Sequence, residues 1–351
     1  ETGARQGNKR CIKPDQTFAP TIILSSRSKI EHVLFCFKPM TEPSNSFQHK
    51  LPPGVLKAVQ RIVRAGFVDK WADATAQHLR DPAQQFDPEF MRKLVPKMEW
   101  FARYFDAEVR GMERVPASPV LVIGNHSGGT ITPDTSAFYV AWYRERGFDD
   151  PLMGLAFDAI FGVPGWRELM RKIGQMPASM YIAESALRGG NSVLLYPGGS
   201  YEVFRPWTDR NRIMFNGRKG FIRLALRAGV PVVPVVGHGG HETTVVLTRG
   251  ERFAQLLSAE KLRLEGAPIL FQIPWGVSSP ILPGLPLPAK ITVQVCEPLD
   301  WSSLGPEAAE DPKALDRCYD EITSVMQTTL DTLVEENPKP LLRRLTGRRS
   351  G

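Results

Sequence analysis

Three short apolar runs each break into a glycine-rich loop, and this repeat constrains the fold more than any other feature of the chain. The first, Pro119 to Asp134, reads PVLVIGNHSGGTITPD; the second is SVLLYPGGSYE and the third VPVVPVVGHGGHET. A continuous apolar run bounded by Pro and Gly suits a strand buried on both faces of a sheet. Helical patterns separate the runs: AFYVAWYRERG after Asp134, residues 178 to 188, and KGFIRLALRAG before the third run. Strands alternating with helices predict an α/β fold whose largely parallel central sheet is flanked by helices. Such sheets hold ligands beyond the carboxyl ends of their strands, so the three loops are expected to share one edge and one cleft.

Around this centre the spacing predicts a helix from Pro88 to Tyr104, an edge strand and turn in AEVRGMERVP, and a strand in PLMGLAF. WRELMRKIG follows as a helix closing at Gly174 in a left-handed cap. KITVQVCEPLD reads as a strand and residues 312 to 336 as a long amphipathic helix. The expected organisation is an extended or poorly ordered arm over 1–50, an amphipathic helical segment over 51–105, an α/β domain over 106–337 and a basic tail over 338–351. Within the second, Val55, Val59, Ile62, Val63 and Phe67 recur at helical spacing with Lys57, Arg61 and Arg64 between them. That face either packs on its own domain or lies on an anionic membrane. APILFQIPWGVSSPILPGLPLPAK is broken by prolines and cannot be one helix. It is either a covering loop or a segment dipping into a lipid interface. No run supplies the about 18 uninterrupted apolar residues of a spanning helix.

At 351 residues, 42% hydrophobic and 23% charged, the chain can bury a large core, and its formal charge of +7 favours anionic partners. Cys11, Cys36, Cys296 and Cys318 form no close pair, so a reducing compartment is expected. The chain opens ETGARQGNKR, with no apolar run after the basic residues, and a signal peptide is not expected there.

In the first loop Asn125 can fix the turn, Gly128 and Gly129 leave room for a substrate, and Asp134 offers a carboxylate near His126. A lone loop histidine is more often structural, and both readings stand at this point. Arg218 and Lys219 precede a helix start, where phosphate groups bind readily. His238 and His241 in GHGGHE suggest a metal pair, but Gly239 and Gly240 oppose the helix such a pair needs, so no metal is expected; the alternative is a supporting or acceptor-site role. No G-x-S-x-G nucleophile elbow occurs, which disfavours a serine hydrolase. No nucleic-acid motif is found.

The ordered series NHSGGTITPD, YPGGSYEVFRP and KGFIRLALRAGVPVVPVVGHGGHE resembles the glycerolipid acyltransferase superfamily over about residues 95 to 300. Within it, the chain is similar to the branch grouping bacterial acyltransferases with monoacylglycerol and diacylglycerol acyltransferase-like proteins. The resemblance implies a glycerol-3-phosphate acyltransferase-like α/β fold, acyl-CoA as donor substrate with no permanently bound cofactor, and a lipid acceptor with a free hydroxyl. It assigns His126 as general base and Asp134 as its orienting acid. The family's H-x-x-x-x-D pattern is broken, because the fifth position is Ile131, and Glu202 competes for the orienting role. Substrate contacts are expected from Asn125, Ser127, Gly128, Gly129, Gly198, Gly199, Ser200, Tyr201, Glu202, Arg205 and His238, and CoA phosphate contacts from Arg218 and Lys219. Where phosphate-acceptor members carry Pro-Glu-Gly-Thr-Arg, this chain has Pro197, Gly198, Gly199, Ser200 and Tyr201. Loss of that arginine favours a neutral acceptor, unless Arg205 restores the contact. The expected protein is cytoplasmic and peripherally membrane-associated, and its oligomeric state is open. The alternatives are a lysophospholipid acyltransferase, a thioesterase or esterase, and a non-catalytic lipid-binding protein.

Overall fold

Leu121 and Ile123 point to one side of the first apolar run and Val120 and Val122 to the other, and all four are fully buried. A strand with no wet face must lie inside a sheet covered twice. The computed structural model describes residues 86–129, 131–156, 160–161, 165–250, 268–278, 280 and 284–342, all within the unit Ala65–Gly351. The arm over 1–50, the Val55 to Phe67 pattern and the end of the basic tail, 343–351, lie outside the described residues.

Helix α1 (Pro88–Tyr104) and strand β1 (Glu108–Arg110) come first. Strand β2 (Leu121–Gly124), helix α2 (Pro133–Arg146) and strand β3 (Leu152–Ala156) follow. Next are α3 (Trp166–Lys172), β4 (Gln175–Pro177), α4 (Met180–Arg188), β5 (Ser192–Leu195), α5 (Gly199–Val203), α6 (Gly220–Ala228) and β6 (Val232–His238). The chain then forms β7 (Val245–Thr248), β8 (Ile269–Gln272), β9 (Gly276–Ser278), β10 (Thr292–Val295) and α7 (Pro312–Glu336). Among the described residues seven strands make the central sheet, in the order β1-β10-β6-β2-β5-β3-β4. From β6 through β2, β5 and β3 to β4 every pairing is parallel; β10 runs antiparallel to β6 and parallel to β1.

Caps explain where the two longest helices begin. Asp87 and Asp311 each precede a proline at the first helical position, and their carboxylates accept from the Phe90 and Lys313 backbone N–H at 2.9 and 3.0 Å. Helix α3 is followed by Gly174 at φ 75, the left-handed turn its sequence predicts. One face of the sheet packs against α4, α6 and α7 through Leu121, Ile123, Val193, Val232 and Val236. The other face carries α1 and α2, with Val120, Val122, Leu194 and Val233 meeting Met91, Phe138 and Trp142. This is the α/β architecture with helices on both faces expected from the three runs.

The segment read as either a covering loop or a lipid-dipping stretch contributes two strands to a second, small sheet. β8 pairs antiparallel with both β7 and β9. The sequence reading also overlooked β4, whose three residues are too short to show a period. Among the described residues no helix is long and apolar enough to cross a membrane, and Cys296 and Cys318 are free and buried.

Trp142 is completely buried, and its indole N–H donates to the Asp150 carbonyl at 2.9 Å. Trp142→Ala is expected to lower stability by about 3–5 kcal/mol in denaturant titration. A loss below about 1 kcal/mol would mean that the α2 face is not packed as described.

Candidate active site

The parallel strands β6, β2 and β5 are neighbours, so their carboxyl ends deliver the three loops side by side. His126 stands two residues beyond β2, Tyr196 directly after β5, and His238 ends β6. Asn125 ties the first and third loops together. Its amide donates to the Gly237 carbonyl at 2.9 Å and accepts from the Gly237 N–H at 2.7 Å, extending the β2–β6 ladder by one rung.

His126 is gripped through its backbone. The Glu202 carboxylate accepts from the His126 N–H at 2.9 Å, and the Arg205 guanidinium donates to the His126 carbonyl at 2.7 Å. Glu202 and Arg205 are almost fully buried and lie 3.7 Å apart. Glu202 also accepts from the Met214 N–H, while Arg205 donates to the carbonyls of Glu202 and Arg210. Burial pushes the Glu202 carboxyl above its ordinary range, and the Arg205 charge pulls it back. At Gly198 any side chain would collide with Glu202, which gives the second loop's glycine a steric reason.

The imidazole ring stacks on Tyr196, with centroids 4.5 Å apart and planes 24° from parallel. The Tyr196 hydroxyl shares a 2.7 Å hydrogen bond with Thr135. Neither candidate carboxylate reaches the ring's buried Nδ1, which has no partner among the described residues. Asp134 instead accepts from the Ser127 hydroxyl at 2.6 Å and the Thr135 N–H at 2.8 Å. Gly237 leaves room for Asp134, since a Cβ there would stand 2.8 Å from its Oδ2.

The remaining expected contacts fall in several places. Gly128 and Gly129 both have positive φ, and the Gly128 N–H donates to His241 Nδ1 at 3.3 Å. Gly199, Ser200 and Tyr201 form the first turn of α5, and the Arg249 guanidinium lies over the Tyr201 ring, 3.8 Å from its centroid. His238 Nε2 pairs with the Asn337 carbonyl at 2.9 Å, anchoring the end of α7. Arg218 donates to the carbonyls of Pro197 and Gly198, and Lys219 pairs with Asp316 on α7. A small polar cleft beside the first loop is lined by Ser127, Arg205, Arg210, His238, His241 and Glu242.

Tyr196 and His241 are members of this arrangement that sequence reasoning did not place in the site. Tyr196 opens the YPGG run at the end of a predicted strand, the same signal that singled out His126. His241 carried, with His238, a disfavoured metal reading and the alternative of a supporting or acceptor-site role.

The family model described as Acyltransferase matches residues 106–237. An uncharacterized protein of Mycobacterium tuberculosis is 30% identical over 258 residues, 71% of this chain and 68% of that one. Diacylglycerol O-acyltransferase 2B of Umbelopsis ramanniana is 27% identical over 159 residues, 43% of this chain and 45% of that one. The crystal structure of the 1-acyl-sn-glycerophosphate (LPA) acyltransferase PlsC from Thermotoga maritima aligns over 83% of this chain and 95% of that one, at 16% identity and a TM-score of 0.43. The Acyltransferase family model and the sequence relatives place the chain in the glycerolipid acyltransferase superfamily.

Burial, aided by the Arg205 charge, holds the His126 pKa at about 3, so the folded ring stays neutral where the unfolded chain takes a proton. Its contribution to stability is therefore present above pH 6.5 and lost as pH falls toward 3. Asp134 runs the other way: burial raises it to about 6 against the pull of its hydrogen bonds, and its contribution fades as pH rises through that value. His126→Gln removes the first slope. Its melting temperature relative to wild type is expected to climb as pH is lowered from about 7 to about 4, and a flat difference would show that the folded ring titrates normally. Arg205→Leu leaves Glu202 buried without its cation and is expected to cost about 3–5 kcal/mol in denaturant titration; a neutral outcome would refute the clamp.

Proposed function

We propose that this acyltransferase moves a fatty acyl group from acyl-CoA to the hydroxyl of a neutral glycerolipid or other lipid alcohol, with His126 as general base. The observation that carries the reading is a half-buried imidazole on a clamped loop at the carboxyl edge of the sheet, stacked on Tyr196 and next to a small polar cleft. A hydroxyl is a weak nucleophile near neutral pH. As its oxygen attacks the thioester carbonyl, the imidazole takes the hydroxyl proton, the C–O bond forms and the C–S bond breaks. The same proton then passes to the departing thiolate. Positioned proton transfer of this kind is worth about 10²–10⁴-fold. The stack on Tyr196 and the backbone clamp from Glu202 and Arg205 hold the orientation of the base.

The neutral-acceptor part of the proposal draws on Arg205 and Tyr201. Arg205 is committed to three backbone carbonyls, so recruiting it to an acceptor phosphate would dismantle the His126 loop. Tyr201 has no charge to offer. The Umbelopsis relative is named for acylation of diacylglycerol, an acceptor without phosphate. On the donor side, the Lys219–Asp316 pair is partly exposed. Pairs of that kind are worth only about 0–1 kcal/mol, so a CoA phosphate can compete for the lysine.

The test is transfer from radiolabelled long-chain acyl-CoA to monoacylglycerol, diacylglycerol, lysophosphatidic acid and a long-chain alcohol, with His126→Ala alongside. The expected result is product with neutral acceptors and a loss of about 10²-fold or more in kcat for the variant. Preference for lysophosphatidic acid would discard the acceptor assignment. Thioester hydrolysis without transfer to any acceptor would favour a thioesterase.

A further inference from the structure

The small antiparallel sheet carries apolar side chains on both faces. An antiparallel sheet with one face in water ordinarily alternates apolar and polar side chains. Here Val246 and Leu270 point inward and are buried, yet the outward residues are apolar as well. Val277 stands opposite Phe271, and Ile273 is bridged to Leu285. Leu247 extends the face on β7, and Trp275 sits in the turn between β8 and β9. All six are exposed, Val277 and Leu285 at 67% and Trp275 at 52%. From Gly266 to Ala289 the sequence carries no Asp, Glu, Lys or Arg. A contiguous apolar face of this kind marks an interaction surface.

Its surroundings select the partner. The Tyr104 hydroxyl donates to the Pro286 carbonyl at 2.8 Å, joining the end of α1 to this segment, and Trp100, one turn earlier, is 74% exposed. Trp and Tyr bordering an apolar face are the side chains that settle at the headgroup level of a bilayer. On another side, β7 packs against the turn Trp207–Asp209, which leads into Arg210, paired with Glu242 and stacked on Trp207, and the exposed Arg212, 3.7 Å from Asp209. An uncharged apolar centre rimmed by aromatics fits a lipid surface, and the chain's formal charge of +7 favours an anionic one. The face also adjoins the candidate site: β7 starts three residues after Glu242, and the Leu287 N–H donates to the Thr243 carbonyl at 2.9 Å. We propose that the outward face of β7, β8 and β9, with Trp275 at its tip, seats this protein on an anionic phospholipid bilayer. The proposal rests on the lipid-acceptor reading only for why a bilayer is the relevant partner. Binding itself is measured without turnover.

The experiment is co-sedimentation of the full chain with vesicles of phosphatidylcholine mixed with phosphatidylglycerol, and of phosphatidylcholine alone. Wild type, Val277→Asp, Val277→Leu and Trp275→Ser are compared, with melting temperature as the folding control. Wild type is expected to bind the mixed vesicles more tightly. Val277→Asp and Trp275→Ser are expected to lose about tenfold or more in partitioning at unchanged melting temperature, while Val277→Leu binds like wild type. If Val277→Asp fails to fold, Trp275→Ser reads the same surface. Transfer to a water-soluble short-chain alcohol should be unaffected by either variant, which separates membrane docking from catalysis. No binding by wild type, or equal binding by the folded polar variants, overturns the proposal. So does a wild-type dimer in sedimentation velocity that Val277→Asp dissolves while vesicle binding is absent, because the face then covers a second copy.

Discussion

The arrangement of the site depends on one buried ion pair. Glu202 and Arg205 hold the two backbone groups of one residue, the carboxylate on the N–H of His126 and the guanidinium on its carbonyl. Both side chains are nearly inaccessible to water, which makes each costly without the other. The strand that ends at Leu195 and the one that ends at Gly124 are adjacent and parallel, and that adjacency lets a residue of the second loop clamp the first. The pair contributes position rather than chemistry.

Around that clamp the third loop works as a buttress. His238 receives the end of α7 through the Asn337 carbonyl, and Glu242 accepts from the Leu341 N–H at 3.0 Å. The residues after the long helix are thereby fastened to the strand end beside His126. His241 takes the Gly128 N–H and so supports the glycine turn from the opposite side. Polar groups drawn out of water in this way must be paired, and most of those near the loop are. The exceptions beside it are His126 Nδ1, His241 Nε2 and Arg210 Nε, which have no hydrogen-bond partner among the described residues.

Charge is handled by burial as much as by pairing. His126 is kept neutral by burial of its ring nitrogen and by the Arg205 charge, and Asp134 is drawn toward its protonated form by burial. The Ser127 hydroxyl donates to Asp134, so the acid that the family pattern would set against the imidazole is spent on its neighbour. Orientation of the ring then falls to the Tyr196 stack, a contact between side chains 70 positions apart in the chain. Gly124 makes that contact possible, since a side chain there would overlap the Tyr196 ring.

Much of the scaffold was written locally. Asp-Pro pairs set the starts of α1 and α7, apolar runs marked β2, β5 and β6, and the glycines after them placed three loops on one edge. These are short-range effects of capping, periodicity and backbone freedom, and neighbours in sequence carry them. The family pattern likewise singled out His126. Tertiary structure decided what each polar group touches: Glu202 on a backbone N–H 76 residues away, Asp134 on Ser127, Lys219 on Asp316. It also turned an uncharged proline-rich stretch into a sheet with an apolar outer face. Hydrogen-bond partners and exposed faces follow from which strands become neighbours and at what register, and that adjacency is a property of the packed core as a whole.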